Sequence, residues 1–272
     1  MNPSNTDRSF DGSIPQFYER YLVPLIFEPY AKEMATRVAT LCPSNVLEVA
    51  AGTGVVTREL AATLSTATAI VATDLNQPML DHAAAIGTAR TVEWQQADAM
   101  RLPFPDKVFD VVVCQFGAMF FPDKAIAMAE ARRVLRPGGM FIFNVWDRIE
   151  HNEFADAVTA AVAEVFPGEP PRFLARTPHG YHDPAAIGGD LAQAGFTTPA
   201  TFDTVARQSV ADSPRIPAIA YCQGTPLRNE IEARDATRLE EATTIAAAAI
   251  ARLFGSGRVE GRIQAHVVSA AR

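Results

Sequence analysis

Cysteine is scarce. Cys42, Cys114 and Cys222 are the only three in 272 residues, too few and too scattered for a disulfide framework or a cysteine-rich zinc site. They read as free thiols in a reducing compartment. Nor do the His, Cys and acidic residues fall at metal-ligand spacing, so no zinc or magnesium is expected. No apolar run approaches the length of a membrane span, and the N-terminal MNPSNTDRSFDGS lacks the basic-then-apolar layout of a secretion signal. A cytoplasmic protein without a membrane partner is expected, its first dozen or so residues mobile. Positive charge is also short: 24 Lys and Arg against 31 Asp and Glu leave a net charge of -7, which repels a phosphate backbone. Arg132, Arg133 and Arg136 are the nearest thing to a basic patch, and they sit where a helix ends before Pro137-Gly138-Gly139, complementing its C-terminus. Nucleic acid is not an expected partner.

What is present is a globular composition, 48% hydrophobic and 20% charged, in a rhythm of alternating strands and helices. Residues 14–41 read as helix, interrupted near Pro24. Apolar strands are expected at 46–49, 69–73, 91–96, 109–114 and 140–145, with helices at 56–64, 77–86 and 123–134 between them. Runs this continuous are what parallel strands covered on both faces should show. After Trp146 the rhythm changes: helices at 153–165, 183–194, 216–233 and 238–253 accompany strands at 201–207 and 262–270. About fifty residues separate those last two strands, which marks an inserted element.

The stretch NVLEVAAGTGVVTREL (45–60) carries the first chemical signal. Gly52 and Gly54 form a tight turn between a strand and a helix, a place for a nucleotide-like ligand. A dinucleotide fingerprint wants a third glycine where this chain has Thr57, and a phosphate loop wants a lysine that is missing. Glu48 is repelled by pyrophosphate but welcomes a cation such as a sulfonium or ammonium. Asp74, twenty residues after Gly54 and closing the second strand, can accept from ribose hydroxyls. Asp98 closes the third strand, where it can accept from an adenine amine, with the Ala99 N–H beside it. Leu75 and Met79 either pack in the core or flank the adenine ring. Acids at successive parallel strand ends share one crevice.

Taken with IVATD and the Pro78-Met79-Leu80 beyond it, QQADAMRLPFPDKVFDVVVC, and RRVLRPGGMFIFNVW, this stretch resembles the class I S-adenosylmethionine-dependent methyltransferases, in particular the small-molecule branch similar to ubiquinone/menaquinone biosynthesis enzymes. The likeness is specific over residues 46–146. It implies an α/β, Rossmann-like fold: a seven-stranded mixed sheet in the order 3-2-1-4-5-7-6, with helices on both faces and a helical cap. It implies a cap segment at 1–40, and a methyltransferase domain at 41–272 with a helical insertion at about 212–258. It implies S-adenosylmethionine as cofactor, with S-adenosylhomocysteine as product. Glu48 and the 51–54 backbone would hold its methionine part, Asp74 its ribose, and Asp98, Ala99 and Met100 its adenine side. Gln115 and Phe116 would run along the sulfonium, and Tyr18 and Tyr21 would close over the cofactor. Ala50 stands where many members carry glycine.

The acceptor side is fainter, because in-line methyl displacement needs alignment more than a protein nucleophile. Where an acceptor must lose a proton, His179, His182 and Tyr21 are the catalytic candidates; GYHD equally suits a loop and helix cap before Pro184. Phe116, Met119, Phe120, Phe121 and Trp146, with Phe17 and Tyr21, suit an apolar cleft, hence a largely apolar or aromatic small molecule. Tyr221, Gln223, Arg228 and Glu232 are pocket positions or packing. The rival readings are a nicotinamide-dependent oxidoreductase and a non-catalytic cofactor-binding module. A homodimer through the cap helices is allowed but unsignalled.

Overall fold

A computed structural model describes residues 7, 10 and 12–272 of the chain. The expected mobility of the first dozen residues falls largely outside the described ones. Five strands, β1 (Asn45–Val49), β2 (Ala69–Asp74), β3 (Glu93–Gln96), β4 (Phe109–Gln115) and β5 (Leu135–Trp146), pair in parallel. Then β6 (Thr201–Ala211) and β7 (Val259–Ala271) form an antiparallel pair, with β7 lying against β5, so the sheet runs β3-β2-β1-β4-β5-β7-β6. That is the order the resemblance implies. Central strands are buried along their length, Val111, Val112, Val113 and Cys114 in β4 among them, which explains their unbroken apolar runs.

Helices cover both faces: α3 (Val55–Thr63), α4 (Gln77–Ile86), α5 (Lys124–Val134), α6 (Glu153–Val165) and α8 (Pro184–Gln193), with the single turn α7 (Phe173–Arg176) between the last two. In α6 the buried Phe154, Ala157, Val158, Ala161, Val162 and Val165 recur at helical spacing, one apolar stripe against the core. Asp183 caps α8 by accepting from the Ala185 N–H, and Asp123 caps α5 from Ile126.

The N-terminal segment runs from α1 (Ile14–Phe17) through ten π-helical residues, Tyr18–Phe27, into α2 (Glu28–Thr40). Pro24 neither divides nor stops it. Proline supplies no N–H to the ladder, and the wider turn lets the Glu28 N–H reach the Val23 carbonyl instead. Between β6 and β7 stand α9 (Arg215–Gln223), α10 (Leu227–Asp235) and α11 (Leu239–Phe254). The single helix expected at 216–233 is therefore two. At the break the Thr225 hydroxyl donates to the Tyr221 carbonyl and accepts from the Leu227 N–H. Gly224 approaches the cap so closely that a Cβ would lie 3.2 Å from a Leu22 methyl. This insertion and the π-helical segment face each other above the strand ends.

Candidate functional site

One cavity crosses the C-terminal ends of β1 to β5. Its β2/β3 side is lined by Asp74, Leu75, Met79, Asp98 and Ala99. Its middle is lined by Ala50 and Gly52 after β1, with Gln115 and Phe116 after β4, and Tyr18 closes it from the π-helical segment. Trp146, Phe173, His179 and Tyr221 line the β5 side. Asp74 and Asp98 thus share one crevice, as their spacing required. Among the described residues neither Lys nor Arg lines it.

Asp74 organises the nucleoside side. Its carboxylate accepts from the Gly52 N–H at 2.8 Å, the Asn76 N–H at 2.8 Å and the Asn76 side chain at 3.4 Å. Burial pushes its pKa up, and these hydrogen bonds oppose the rise without cancelling it. The same carboxylate that pins the glycine loop is therefore presented to the cavity, as a group binding a ribose must be. Asp98 accepts from the Met100 N–H at 2.9 Å, closing its own turn.

The two glycines of the loop serve different ends. Gly52 has φ +56°, and a Cβ there would point toward the Met79 methyl at 3.5 Å, at the cavity wall. Gly54, at φ +81°, lies off the lining: a Cβ would stand 2.9 Å from the Trp94 ring and 3.1 Å from Ala83 Cβ. Gly54 serves packing beneath the turn rather than ligand approach.

Glu48 also lies off the lining. It is buried under the loop, where its carboxyl accepts from the Thr57 hydroxyl at 2.6 Å. Thr57, standing where a dinucleotide fingerprint has glycine, thus fills that space and holds the acid. Burial pushes Glu48 up to about 8, against the Thr57 hydrogen bond.

Three further residues are not brought to the cavity wall. Tyr21 stacks on Phe17 at 5.9 Å with Arg20 over its ring, because the π-helical turn aims Tyr18 and Leu22 inward and leaves Tyr21 beside Phe17. Met100 packs against the core beyond its turn. His182 is half-buried and engages the His179 carbonyl through Nδ1 at 2.8 Å. Among the insertion residues, Tyr221 lines the cavity, while Gln223 bonds Thr243, and Arg228 pairs with Glu232 at 2.7 Å. Met119 is core and Phe17 lies outside the lining.

His179 does reach the cavity. It is buried, its Nδ1 lies 2.8 Å from the Asp147 carbonyl oxygen, and burial lowers its pKa to about 4. Beneath it, the Asp147 carboxylate is engaged by His151, Gln264, the Arg148 N–H and His266. Sequence reasoning missed this node, and it also missed Asn152, Phe173 and Leu174 on the wall. Their only signal, an acid directly after a buried strand end at Trp146-Asp147, matches that of Asp74.

A sheet in this order, with a glycine turn after β1 and acids at the ends of β2 and β3, is the class I S-adenosylmethionine-dependent methyltransferase fold. Solved structures share it over most of the chain. The YcgJ protein of Bacillus subtilis aligns with TM-score 0.56 at 16% identity, covering 90% of this chain and 98% of that one. A SAM dependent methyltransferase of Aquifex aeolicus aligns with TM-score 0.51 at 19% identity, covering 72% and 91%. The [4+2]-cyclase SpnF aligns with TM-score 0.52 at 20% identity, covering 89% and 81%. At such identities the likeness carries the fold alone, and a cyclase among these structures means that the reaction must be argued from the site.

Residues 47–143 match the family described as a methyltransferase domain. The ubiquinone/menaquinone biosynthesis C-methyltransferase UbiE of Stutzerimonas stutzeri is 32% identical over 166 residues, 56% of this chain and 65% of that protein. Its counterpart from Teredinibacter turnerae is 30% identical over 165 residues, 56% and 66%. The match thus spans just under two thirds of these curated relatives. The chain has the class I methyltransferase fold, carries a match to a methyltransferase domain over residues 47–143 and is similar to UbiE over 56% of its length; S-adenosylmethionine is the cofactor of the class whose fold it shares. The cavity fits that cofactor: it offers acids to a sugar and a base, has no Lys or Arg among its described residues to meet a pyrophosphate, and lacks the third glycine a dinucleotide turn needs.

Proposed function

We propose that this protein transfers a methyl group from S-adenosylmethionine, by in-line displacement, to a small and largely apolar or aromatic molecule. The carrying observation is a single cavity with carboxylates at one end and an aromatic wall at the other. In this reading Asp74 accepts from the ribose hydroxyls, and Asp98 and Ala99 meet the adenine edge between Leu75 and Met79. Gly52 lets the backbone approach, while Ala50, Gln115, Phe116 and Tyr18 enclose the methionine portion and the sulfonium. Phe116 stacks on Trp146 with ring centroids 3.8 Å apart and planes within 5°, a flat wall for a planar acceptor. Residues 212–258 with the π-helical segment form the roof that excludes water from the transfer. Among the described residues no helix is long and apolar enough to cross a membrane, and no group of His, Cys or acids is arranged to hold a metal. Free thiols at Cys42, Cys114 and Cys222 suit a cytoplasmic setting.

Calorimetry tests the reading directly. S-adenosylhomocysteine is expected to bind and NAD not to. Asp74→Ala removes the acceptor for the ribose and the pin of the Gly52 N–H together, so affinity should fall by roughly 10- to 100-fold, the worth of one or two charge-assisted hydrogen bonds. Unchanged affinity in that variant would remove Asp74 from the site, and tight NAD binding would overturn the choice of cofactor.

A further inference from the structure

On the β5 side the cavity excludes charge. Its two lining carboxylates, Asp74 and Asp98, stand at the far end, and among the described residues no Lys or Arg lines it. A carboxylate or phosphate acceptor would enter that half without a counter-charge, and so would a protonated amine. Asn152 and Thr225 also belong to the lining but their side chains are taken up by protein partners, which leaves two polar side chains to face it. The Tyr221 hydroxyl, on α9, has no hydrogen-bond partner among the described residues, although the residue is only 4% exposed. The other is His179.

The tautomer of His179 follows from its partner. Nδ1 faces a carbonyl oxygen, which only accepts, so Nδ1 carries the hydrogen and Nε2 the lone pair. Among the described residues nothing hydrogen-bonds Nε2. The Asp147 peptide behind the ring is itself fixed: Asn152 donates to the same carbonyl at 3.2 Å, and the Asp147 carboxylate is held by His151 at 2.8 Å and by His266 at 3.3 Å. Burial keeps the imidazole neutral at physiological pH. A neutral imidazole with an unpartnered lone pair thus stands at the uncharged end of the cavity.

We propose, resting on the methyl-transfer reading, that the acceptor is an uncharged planar molecule bearing a hydroxyl, that His179 Nε2 takes the hydroxyl proton, and that the Tyr221 hydroxyl supplies a second hydrogen bond. The balance is simple. The hydroxyl oxygen bonds to the methyl carbon as the carbon–sulfur bond breaks, its electron pair going to sulfur and turning the sulfonium into a thioether. The hydroxyl proton passes to Nε2 and leaves to solvent when the products depart. A hydroxyl oxygen grows strongly acidic as it is alkylated, so a weakly basic imidazole suffices to collect the proton.

The test uses the full chain saturated with S-adenosylhomocysteine and three naphthalene probes measured by calorimetry: 2-naphthol, 2-naphthoate and 2-(aminomethyl)naphthalene. Naphthol should bind at least about tenfold tighter than either ion, a burial difference of more than 1 kcal/mol. With S-adenosylmethionine, naphthol should yield its methyl ether. His179→Gln keeps a neutral polar side chain of similar volume but no basic nitrogen, so homocysteine-compound affinity and naphthol Kd should change little while kcat falls by about 10²- to 10⁴-fold. Added imidazole should restore part of the rate in His179→Ala, a rescue that a purely structural residue would not show. Equal or tighter binding of either ion, no naphthol binding, naphthol bound without turnover, or a His179→Gln enzyme with near-native kcat would each overturn the proposal. Failure to bind S-adenosylhomocysteine at all would instead overturn the reading on which it rests.

Discussion

Gly117→Ala isolates a contact between the two loops that shape the middle of the cavity. Gly117 has φ -102° and ψ -33°, a conformation alanine adopts freely, so the substitution carries no backbone strain of its own. Its Cβ, however, would lie 2.6 Å from Ala50 Cβ and 2.8 Å from Cys114 Sγ, about 1 Å inside ordinary carbon contact distances. Neither neighbour is a flexible side-chain end. Ala50 Cβ rides on backbone held at φ +57° between β1 and the glycine loop, and Cys114 is buried in β4. Relief requires one loop to move, and overpacking of this kind costs about 1–3 kcal/mol. In a domain of this size a 2 kcal/mol loss lowers Tm by roughly 4–8 °C. Because Gly52 belongs to the loop that moves, affinity for S-adenosylhomocysteine should fall with stability. Ala50→Gly alone should be nearly neutral, since relief of a left-handed alanine, worth about 1 kcal/mol, is offset by the greater freedom of glycine in the unfolded chain. Combined with Gly117→Ala it removes the closer of the two clashes and leaves the one with Cys114, so rescue should be partial. A double-mutant cycle by urea denaturation should give a coupling of about 1 kcal/mol or more. Additivity within about 0.5 kcal/mol, or a Gly117→Ala protein that binds and melts like the native one, would refute the packing argument.

Three further expectations follow from buried charge. Glu48, pushed up to about 8, is mostly protonated at pH 7 in the free protein; binding of the cationic cofactor favours its carboxylate, so calorimetry in buffers of different ionisation enthalpy should detect proton release, absent in Glu48→Gln. Burial lowers the His179 pKa from its ordinary 6.5 to about 4, so the unfolded chain binds more protons between those values and stability falls as pH drops through the window. Native protein should therefore lose about 2–3 kcal/mol more than His179→Gln between pH 7 and pH 4.5, and parallel losses would contradict a buried neutral imidazole. Arg58 ties the cap to the loop, pairing with Glu19 at 2.7 Å and donating to the Thr53 carbonyl at 2.7 Å. Arg58→Ala should cost about 1–3 kcal/mol and speed release of S-adenosylhomocysteine in stopped flow, because it leaves Glu19 without its partner; an unchanged off-rate would mean that the cap is held elsewhere.

The parallel core was readable because burial on both faces leaves a local mark. β2, β4 and α6 lie within a residue or so of their expected bounds. Where packing across the chain sets the boundary, the reading fell short. β5 begins at Leu135 rather than 140 because Leu135 pairs with Phe109 before the chain bulges through Pro137-Gly138-Gly139 and rejoins at Met140 opposite Val111. That bulge is held from the other end of the sequence, where Gly138 donates to the Arg272 carbonyl and Arg272 to that of Gly139. β6 continues to Ala211 beyond its apolar signal because β7 pairs with it along that whole length. A π-helix around Pro24 has no composition of its own to announce it.

The candidate site divides along the same line. Asp74 and Asp98 were legible from their joint spacing, because acids that close successive parallel strands share one crevice, and the strand order brings both there. Glu48, an acid inside a buried strand and costly unless paired, finds its partner in Thr57, nine residues on, and lies off the cavity lining. Gly54 shows the same limit: the spacing marks a tight turn but not whether the missing side chain makes room for a ligand or for Trp94. The acceptor end is harder still, since its working groups take their meaning from distant partners. His179 differs from His182 in burial and in partner: His179 engages the Asp147 carbonyl, whereas His182 engages the His179 carbonyl and lies off the lining. That carbonyl is placed by Asn152, and the Asp147 carboxylate beside it by Gln264 and His266 of β7, a strand that lies next to β5 only in the folded sheet. Exchanging the roles of the two histidines would need no change of composition, only of fold. A tautomer fixed by a main-chain carbonyl is therefore a property of sheet order, and the β7 insertion beside β5 decides it as much as the histidine does.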